Sequence, residues 1–363
     1  MSDDNKDYII EQFTLEDSEI DKYAKLITDA LLADEAAQEE GATIVFTEQT
    51  FKTIFGGPTI DRRLFIRTIF RPTNELVGFL GSIKKDLSIK GKTYNTAIPA
   101  WLSVQKAHQR KGIAKAMGIK ILEYAKKFGY DGGFAFHEPK QRGIDTSKAV
   151  SRETGVPIFR LFSLNQFIVR VYDVEAASKC IKLKWYEKLV FKLFERIGKV
   201  KSANIRLYKP EDFDQIFELT MDLVKRTEIS IVPIYEDLKW MIGNPNVLCV
   251  VHENNEGKID GYILVWEFTF AGFGNQVPFG WLDTVHTYNL TNNEVKNLAN
   301  FLSQEAIKKG WKGIQTPYIP YFNAKPFKRA NFIFFRKKLG LDLFNITGFE
   351  IPEKVNTFYF IWR

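Results

Sequence analysis

Apolar side chains recur every three or four residues in EIDKYAKLITDAL (19–31) and in FDQIFELTMDLV (213–224), the period of a helix with one buried face. Each run follows a short strand-like segment that closes on an acidic pair: Ile10 to Asp17 reads IEQFTLED, and Ile205 to Asp212 reads IRLYKPED. The correspondence continues along the chain. Leu76-Val-Gly-Phe-Leu80 echoes Ile259-Asp-Gly-Tyr-Ile263, and Pro99-Ala-Trp-Leu-Ser103 echoes Phe279-Gly-Trp-Leu-Asp283. Tyr124-Ala-Lys-Lys-Phe-Gly-Tyr130 echoes Glu305-Ala-Ile-Lys-Lys-Gly-Trp311, a helix closed by glycine before a new strand.

Four matches in the same order make the chain a duplicated unit, covering 1–181 and 204–363. Each copy predicts a helix, then antiparallel strands, then a strand–helix–strand crossover. The expected fold class is α/β (α+β): two tandem units, each a mixed sheet flanked by helices.

Residues 182–203 connect the copies. KLKWYEKLVFKLFERIGKVK (182–201) places Tyr186, Leu189, Val190, Leu193, Phe194 and Ile197 on one face of a basic amphipathic helix. Such a helix lies on an anionic membrane surface or packs its stripe against the two halves; the packed arrangement is the expectation taken here.

Composition narrows the class. The chain has 363 residues, 45% hydrophobic and 26% charged, with 31 Phe, as in a globular protein with thick cores. There is no long apolar run and no signal-peptide pattern, so a cytoplasmic protein is expected, a monomer with at most transient membrane-surface contact. Cys180 and Cys249 have no ligand or framework spacing and read as buried thiols. His108, His137, His252 and His286 form no metal motif, so no metal is expected. A net charge of +7 suits an anionic ligand. The Lys and Arg residues follow no nucleic-acid-binding pattern, and no nucleic-acid partner is expected.

The candidate anion site is WLSVQKAHQRKGIAKAMG (101–118). An apolar strand runs through QRKGIA into a long helical pattern. Unpaired N–H groups at a helix start receive a pyrophosphate, Gly112 and Ala114 let the backbone approach it, and Arg110 and Lys111 add charge. A dinucleotide site fits less well without GxGxxG, and no GxxxxGK[ST] is present.

This strand–QxxGxA–helix block resembles motif A of the GNAT superfamily of N-acetyltransferases, which binds the pyrophosphate of acyl-CoA. The second copy keeps Trp281-Leu282 but has no glycine at the turn, so its cradle is lost. One competent unit fused to a degenerate one is similar to the N-myristoyltransferase family. Trp101-Leu-Ser-Val-Gln-Lys106, Leu161-Phe-Ser-Leu-Asn-Gln166 (a turn before a strand in that family), Val285-His-Thr287, Tyr321-Phe-Asn323 and Glu353-Lys-Val355 (which opens its last strand) carry that similarity. The motif QRKGIA departs from that family's form, and the acidic segment at Asp34, Glu35, Glu39 and Glu40 is not a clean match.

The resemblance implies an acyl-CoA-dependent N-acyltransferase, with acyl-CoA (myristoyl-CoA or acetyl-CoA) as co-substrate and a peptide or small-amine acceptor. It puts oxyanion-hole donors at the backbone of Trp101 and Leu102. The cofactor-binding residues would be Ser103, Val104, Gln109, Arg110, Lys111, Gly112, Ile113 and Ala114. The family's base is its terminal carboxylate, which would be that of Arg363, carried inward by the apolar tail VNTFYFIW. Asp283 and His286 are alternative bases, expected on opposite faces of a strand because they lie three apart. Tyr318 and Tyr321 are candidates for the acceptor groove. Two rival readings share the cradle: a tandem acetyltransferase without a long acyl channel, and a non-catalytic acyl-CoA or membrane-surface binding module.

Overall fold

A computed structural model describes residues 6–41, 43–139 and 142–362. The first copy runs β1 (Tyr8–Phe13), α1 (Ile20–Leu32), α2 (Glu35–Glu40), β2 (Thr43–Val45), α3 (Glu48–Phe55), β3 (Phe65–Phe70), β4 (Glu75–Ile89), β5 (Lys92–Val104), α4 (Ile113–Lys127), β6 (Gly132–His137), α5 (Arg142–Thr154) and β7 (Ile158–Val171). Helices α6 (Val174–Cys180) and α7 (Trp185–Phe194) lead to the second copy. That copy runs β8 (Ile205–Leu207), α8 (Phe213–Arg226), β9 (Ile229–Val232), α9 (Tyr235–Ile242), β10 (Val247–Glu253), β11 (Ile259–Gly272), β12 (Asn275–His286), α10 (Asn292–Lys308), β13 (Gly313–Pro317), α11 (Ala324–Arg329), β14 (Ile333–Asn345) and β15 (Phe358–Tyr359).

Two compact units emerge, and they interleave the sequence. One comprises 1–34, 45–164 and 338–355; the other comprises 35–44, 165–337 and 356–363. The repeats therefore follow chain order, whereas the compact units divide within β7 and within β14. In the first unit the strands lie in the order β1-β3-β4-β5-β6, with residues 340–345 of β14 antiparallel to β6. In the second, residues 167–171 of β7 pair with β13, followed by β12, β11, β10 and β8. Along these strand orders the crossover helices return the chain to give parallel pairs at β5–β6 and at β12–β13.

The glycine-closed helices behave as the pattern predicts, and in the same way in both copies. After α4, Gly129 N–H bonds the Lys126 carbonyl and Tyr130 N–H the Ala125 carbonyl; after α10, Gly310 and Trp311 do the same to Ile307 and Ala306. Both glycines sit at positive φ, 76° and 83°, as a left-handed cap needs, and the residue after each is buried. Cys180 and Cys249 are buried free thiols. No helix of the described residues is long and apolar enough to cross a membrane.

Helix α7 departs from expectation. Its stripe does not pack: Tyr186, Leu189, Val190, Leu193 and Phe194 are exposed, and no residue of the helix is buried. The reason is a second, narrower apolar contact on the other arc, where Phe191 packs against the core of the second unit. The buried Arg170 guanidinium fixes the helix end by donating to the carbonyls of Phe194, Glu195 and Arg196.

Because a Cβ at Gly310 meets nothing within 4 Å, replacing it costs only backbone strain. Gly310→Ala should lower stability by about 1 kcal/mol, read from the urea midpoint at unchanged m.

Candidate active site

In the first unit, β4 and β5 stay in register from Gly78↔Val104 to Phe79↔Ser103 and resume at Gly81↔Ala100, so β5 carries one residue more than β4 across this step. The extra residue is a β-bulge at Trp101-Leu102, and Trp101 adopts φ 62°, a conformation a bulky side chain rarely takes. Its indole is held edge-on against Phe46 at 4.4 Å between ring centres. On its other side β5 pairs with β6 only at Thr96↔Gly132 and Ala97↔Gly133. Trp101 and Leu102 therefore lie where the ladder to β4 is interrupted and beyond the last pair with β6.

The predicted cradle comes directly after this bulge. The Gln109 amide donates to the Val104 carbonyl at 3.0 Å, and the buried Ser103 hydroxyl donates to the Trp101 carbonyl at 3.0 Å. Ser103, Val104 and Gln109 thus brace the turn. Arg110 and Gly112 take positive φ, 63° and 77°, and Gly112 is the N-cap of α4 with no side chain closing the helix start. A Cβ at Gly112 would meet nothing within 4 Å, so the turn is open. Arg110 and Lys111 are exposed beside it, Ile113 anchors the first turn in the core and Ala114 is half-buried. Open N–H groups, a bare glycine and two cations fit a phosphate-bearing substrate.

A second cluster in this unit escaped the sequence pattern. His137 lies four residues beyond the last β5–β6 pair, as Trp101 does. Its Nδ1 is 2.8 Å from Asp342 on β14, its Nε2 is 3.0 Å from the Ser147 hydroxyl on α5, and Asp342 also accepts from Arg160 at 2.5 Å. Burial raises the Asp342 pKa, but the His137 and Arg160 hydrogen bonds outweigh it and leave the carboxyl below its usual range. Residues 205 apart in sequence carry no spacing signal, and only the placement of β14 beside β6 brings them together.

In the second unit a bulge recurs just beyond the matching Trp-Leu pair, which here stays in the ladder. Leu264↔Thr284 is followed by Val265↔Leu282, leaving Asp283 as the extra residue of β12. This overturns the expectation that Asp283 and His286 face apart. Thr284 and His286 share a face, and the bulge turns the Asp283 carboxylate onto it, where Oδ2 accepts from the Thr284 hydroxyl at 3.0 Å. Oδ1 accepts from the Trp362 backbone N–H at 2.9 Å. The apolar tail runs inward as expected: Phe358, Tyr359, Phe360 and Ile361 are buried, and β15 pairs parallel with β9. Arg363 itself lies outside the described residues.

His286 is fully buried, stacked on Tyr262, with Nε2 3.0 Å from Asp222 of α8. Burial pushes the imidazole below its ordinary range, outweighing Asp222, so it is neutral at pH 7. A carboxylate only accepts, so Nε2 carries the proton and Nδ1 keeps its lone pair. That Nδ1 has no hydrogen-bond partner in another of the described residues. A neutral imidazole oriented by a carboxylate, with its other nitrogen unengaged, is the arrangement of a general base. Asp222 lay within the α8 pattern and gave no separate signal.

Tyr318 and Tyr321 spend their hydroxyls locally: Tyr318 donates to the Phe322 carbonyl at 3.0 Å, and Tyr321 accepts from Val285 N–H at 3.1 Å. Two family-derived readings are corrected. Leu161–Gln166 lies inside β7 rather than in a turn, and Glu353–Val355 precede β15 rather than open it.

Residues 14–136 match the family described as an acetyltransferase (GNAT) domain. That match spans about a third of the chain. Its fold is that of Saccharomyces cerevisiae N-myristoyltransferase with bound myristoyl-CoA, at TM-scores of 0.76 and 0.75 and 16% identity, covering 94% of this chain and 83% and 79% of those chains. A probable N-acyltransferase from Enterococcus faecalis follows at TM-score 0.50 and 11% identity, covering 92% and 72%. No curated protein matches by sequence. The two-unit plan agrees with that fold, and the matched domain agrees with an acyltransferase class.

Asp342→Asn should cost about 2 kcal/mol, below the usual loss for a broken buried pair because Arg160 reaches water. Since the folded carboxyl titrates below its unfolded value, the wild-type advantage is full above about pH 4 and disappears as pH falls through the folded pKa. Urea melts of both proteins across the acid range measure it.

Proposed function

We propose that the protein is an acyl-CoA-dependent N-acyltransferase that moves a long, myristoyl-like acyl group from CoA to an amine, with a peptide N-terminal glycine as the acceptor class. The observation that carries this reading is the open, positive-φ turn at Arg110–Gly112, one short segment beyond the bulge at Trp101-Leu102. The likeness to myristoyl-CoA-bound enzymes over 94% of the chain supports the chain-length part.

In this reading the turn binds the pyrophosphate of the substrate, and the Trp101 and Leu102 amides stabilise the developing oxyanion. Losing one such donor typically slows a reaction by about a hundredfold or more. The amine lone pair forms the C–N bond, and the C–S bond breaks with its electrons on sulfur. The amine proton goes to a general base, the role proposed for His286, held by Asp222. The base is assigned to His286 over Asp283 because both Asp283 oxygens already accept hydrogen bonds. A second reading, transfer of an acetyl group by a tandem acetyltransferase, draws on the acetyltransferase description of the matched domain.

Thermal shift against CoA, acetyl-CoA, lauroyl-CoA and myristoyl-CoA separates the two. A ligand at about 100 times its Kd adds about 2.7 kcal/mol. Stabilisation that grows steeply with chain length is expected; equal response to acetyl-CoA favours the second reading, and silence to all four removes both. Gly112→Asp should abolish the response.

His286→Gln should lower kcat for a glycine-initiated peptide by about a hundredfold or more while leaving the acyl-CoA shift intact. Wild-type turnover should hold across neutral pH and decline only below the ordinary imidazole range, because only the neutral ring accepts a proton. A variant that turns over normally would return the base to Asp283 or the terminus.

A further inference from the structure

Helix α7 exposes an apolar arc that the fold of its own unit leaves uncovered. At 100° per residue, Trp185, Leu189, Leu193, Tyr186, Val190 and Phe194 span half the helix circumference, and Phe191 alone turns to the core. Trp185 is 79% exposed and Leu193 71%, an exposure unusual for any large apolar side chain and here repeated across one face.

The charge around this face says what would cover it. Segment 182–201 carries seven basic and two acidic residues, a net +5 out of the chain's +7. Lys182 and Lys184 precede the helix and Arg196, Lys199 and Lys201 come after it, so cations flank the apolar arc at both ends. Lys192 lies at its edge. Trp and Tyr with Leu on one side, and Lys and Arg around them, are the composition of a helix lying in a lipid headgroup layer.

A second observation lies in the same unit. The β11–β12 hairpin turns through Phe273-Gly274, with φ 50° and 76°. Asn, Asp or Gly normally occupies the first of these positions, and a bulky residue there is strained. Phe273 nevertheless sits there with half its surface exposed. Its turn is fixed beside the chain entering α7: the Asn275 amide reaches the Lys179 carbonyl at 3.4 Å, and Gly272 closes against Cys180. An exposed aromatic in a costly conformation thus sits on a turn attached at Cys180, five residues before Trp185.

We infer that α7 and the Phe273 turn form a docking surface for an anionic lipid bilayer, with the helix lying in the headgroup layer. The inference does not depend on the acyl chain assigned above. Phe191 and the Arg170 clamp on the α7 carbonyls hold the helix with its apolar arc outward, so the surface is built before any membrane arrives.

Co-sedimentation with phosphatidylcholine vesicles containing phosphatidylserine, against pure phosphatidylcholine, tests it. The wild-type protein should pellet with the anionic vesicles, less so as salt rises, and leave the neutral ones largely unbound. Leu189→Glu with Leu193→Glu should weaken binding at least tenfold, and Phe273→Ala should weaken it measurably. Both variants should keep the wild-type melting temperature and CoA response, since these side chains support no core. No pelleting by wild type, equal pelleting with both vesicles, or a double variant that binds normally would overturn the inference. So would a wild-type dimer in light scattering that the double variant dissolves, which would give the face to a second copy.

Discussion

A strand that gains one residue against its neighbour leaves that residue outside the ladder and reverses the facing of the residues beyond it, and both copies of this repeat are built around that constraint. In β5 the extra residue takes Trp101-Leu102 out of step with β4, ahead of the open turn. In β12 it puts the Asp283 carboxylate onto the His286 face and gives the tail at Trp362 a partner. One geometrical irregularity thus has two outcomes: a stretch of β5 outside the ladder in the first unit, and a buried polar side chain on β12 in the second. The residue after Trp-Leu separates them, Ser103 in one copy and Asp283 in the other.

The two units also divide the work of holding charge. The first presents cations and unpaired N–H groups at an exposed helix start, where an anion is welcome. The second buries a polar cluster along β12: His286 with Asp222, and Asp283 with backbone and hydroxyl donors. Buried polar groups of this kind persist because each is hydrogen-bonded, and the unpartnered Nδ1 of His286 stands out for that reason.

Much of this was legible in the sequence where it was local. The glycine caps at Gly129 and Gly310, the paired Trp-Leu segments and the QRKGIA turn depend on neighbouring residues, and spacing reports such neighbours well. Asp222, Asp342, Ser147 and Arg160 gain their meaning from partners 10 to 205 residues away, which periodicity does not reach. The facing of α7 failed for a different reason. Six apolar residues on one arc outweigh a single Phe191 in any pattern, yet it is Phe191 and the Arg170 clamp that set which arc turns inward.

The division of the units within β7 and β14 has a consequence for biosynthesis. The first unit is complete only when residues 338–355 are available, and β6 takes β14 as its antiparallel partner. A ribosome working at about 5–20 residues per second emits the intervening 173 residues, 165–337, over roughly 10–35 s. Throughout that interval β6 presents a bare edge in an otherwise assembled sheet. The nascent chain is therefore committed to shielding that edge, by a chaperone or by a temporary pairing of its own, until almost the last strand has been made.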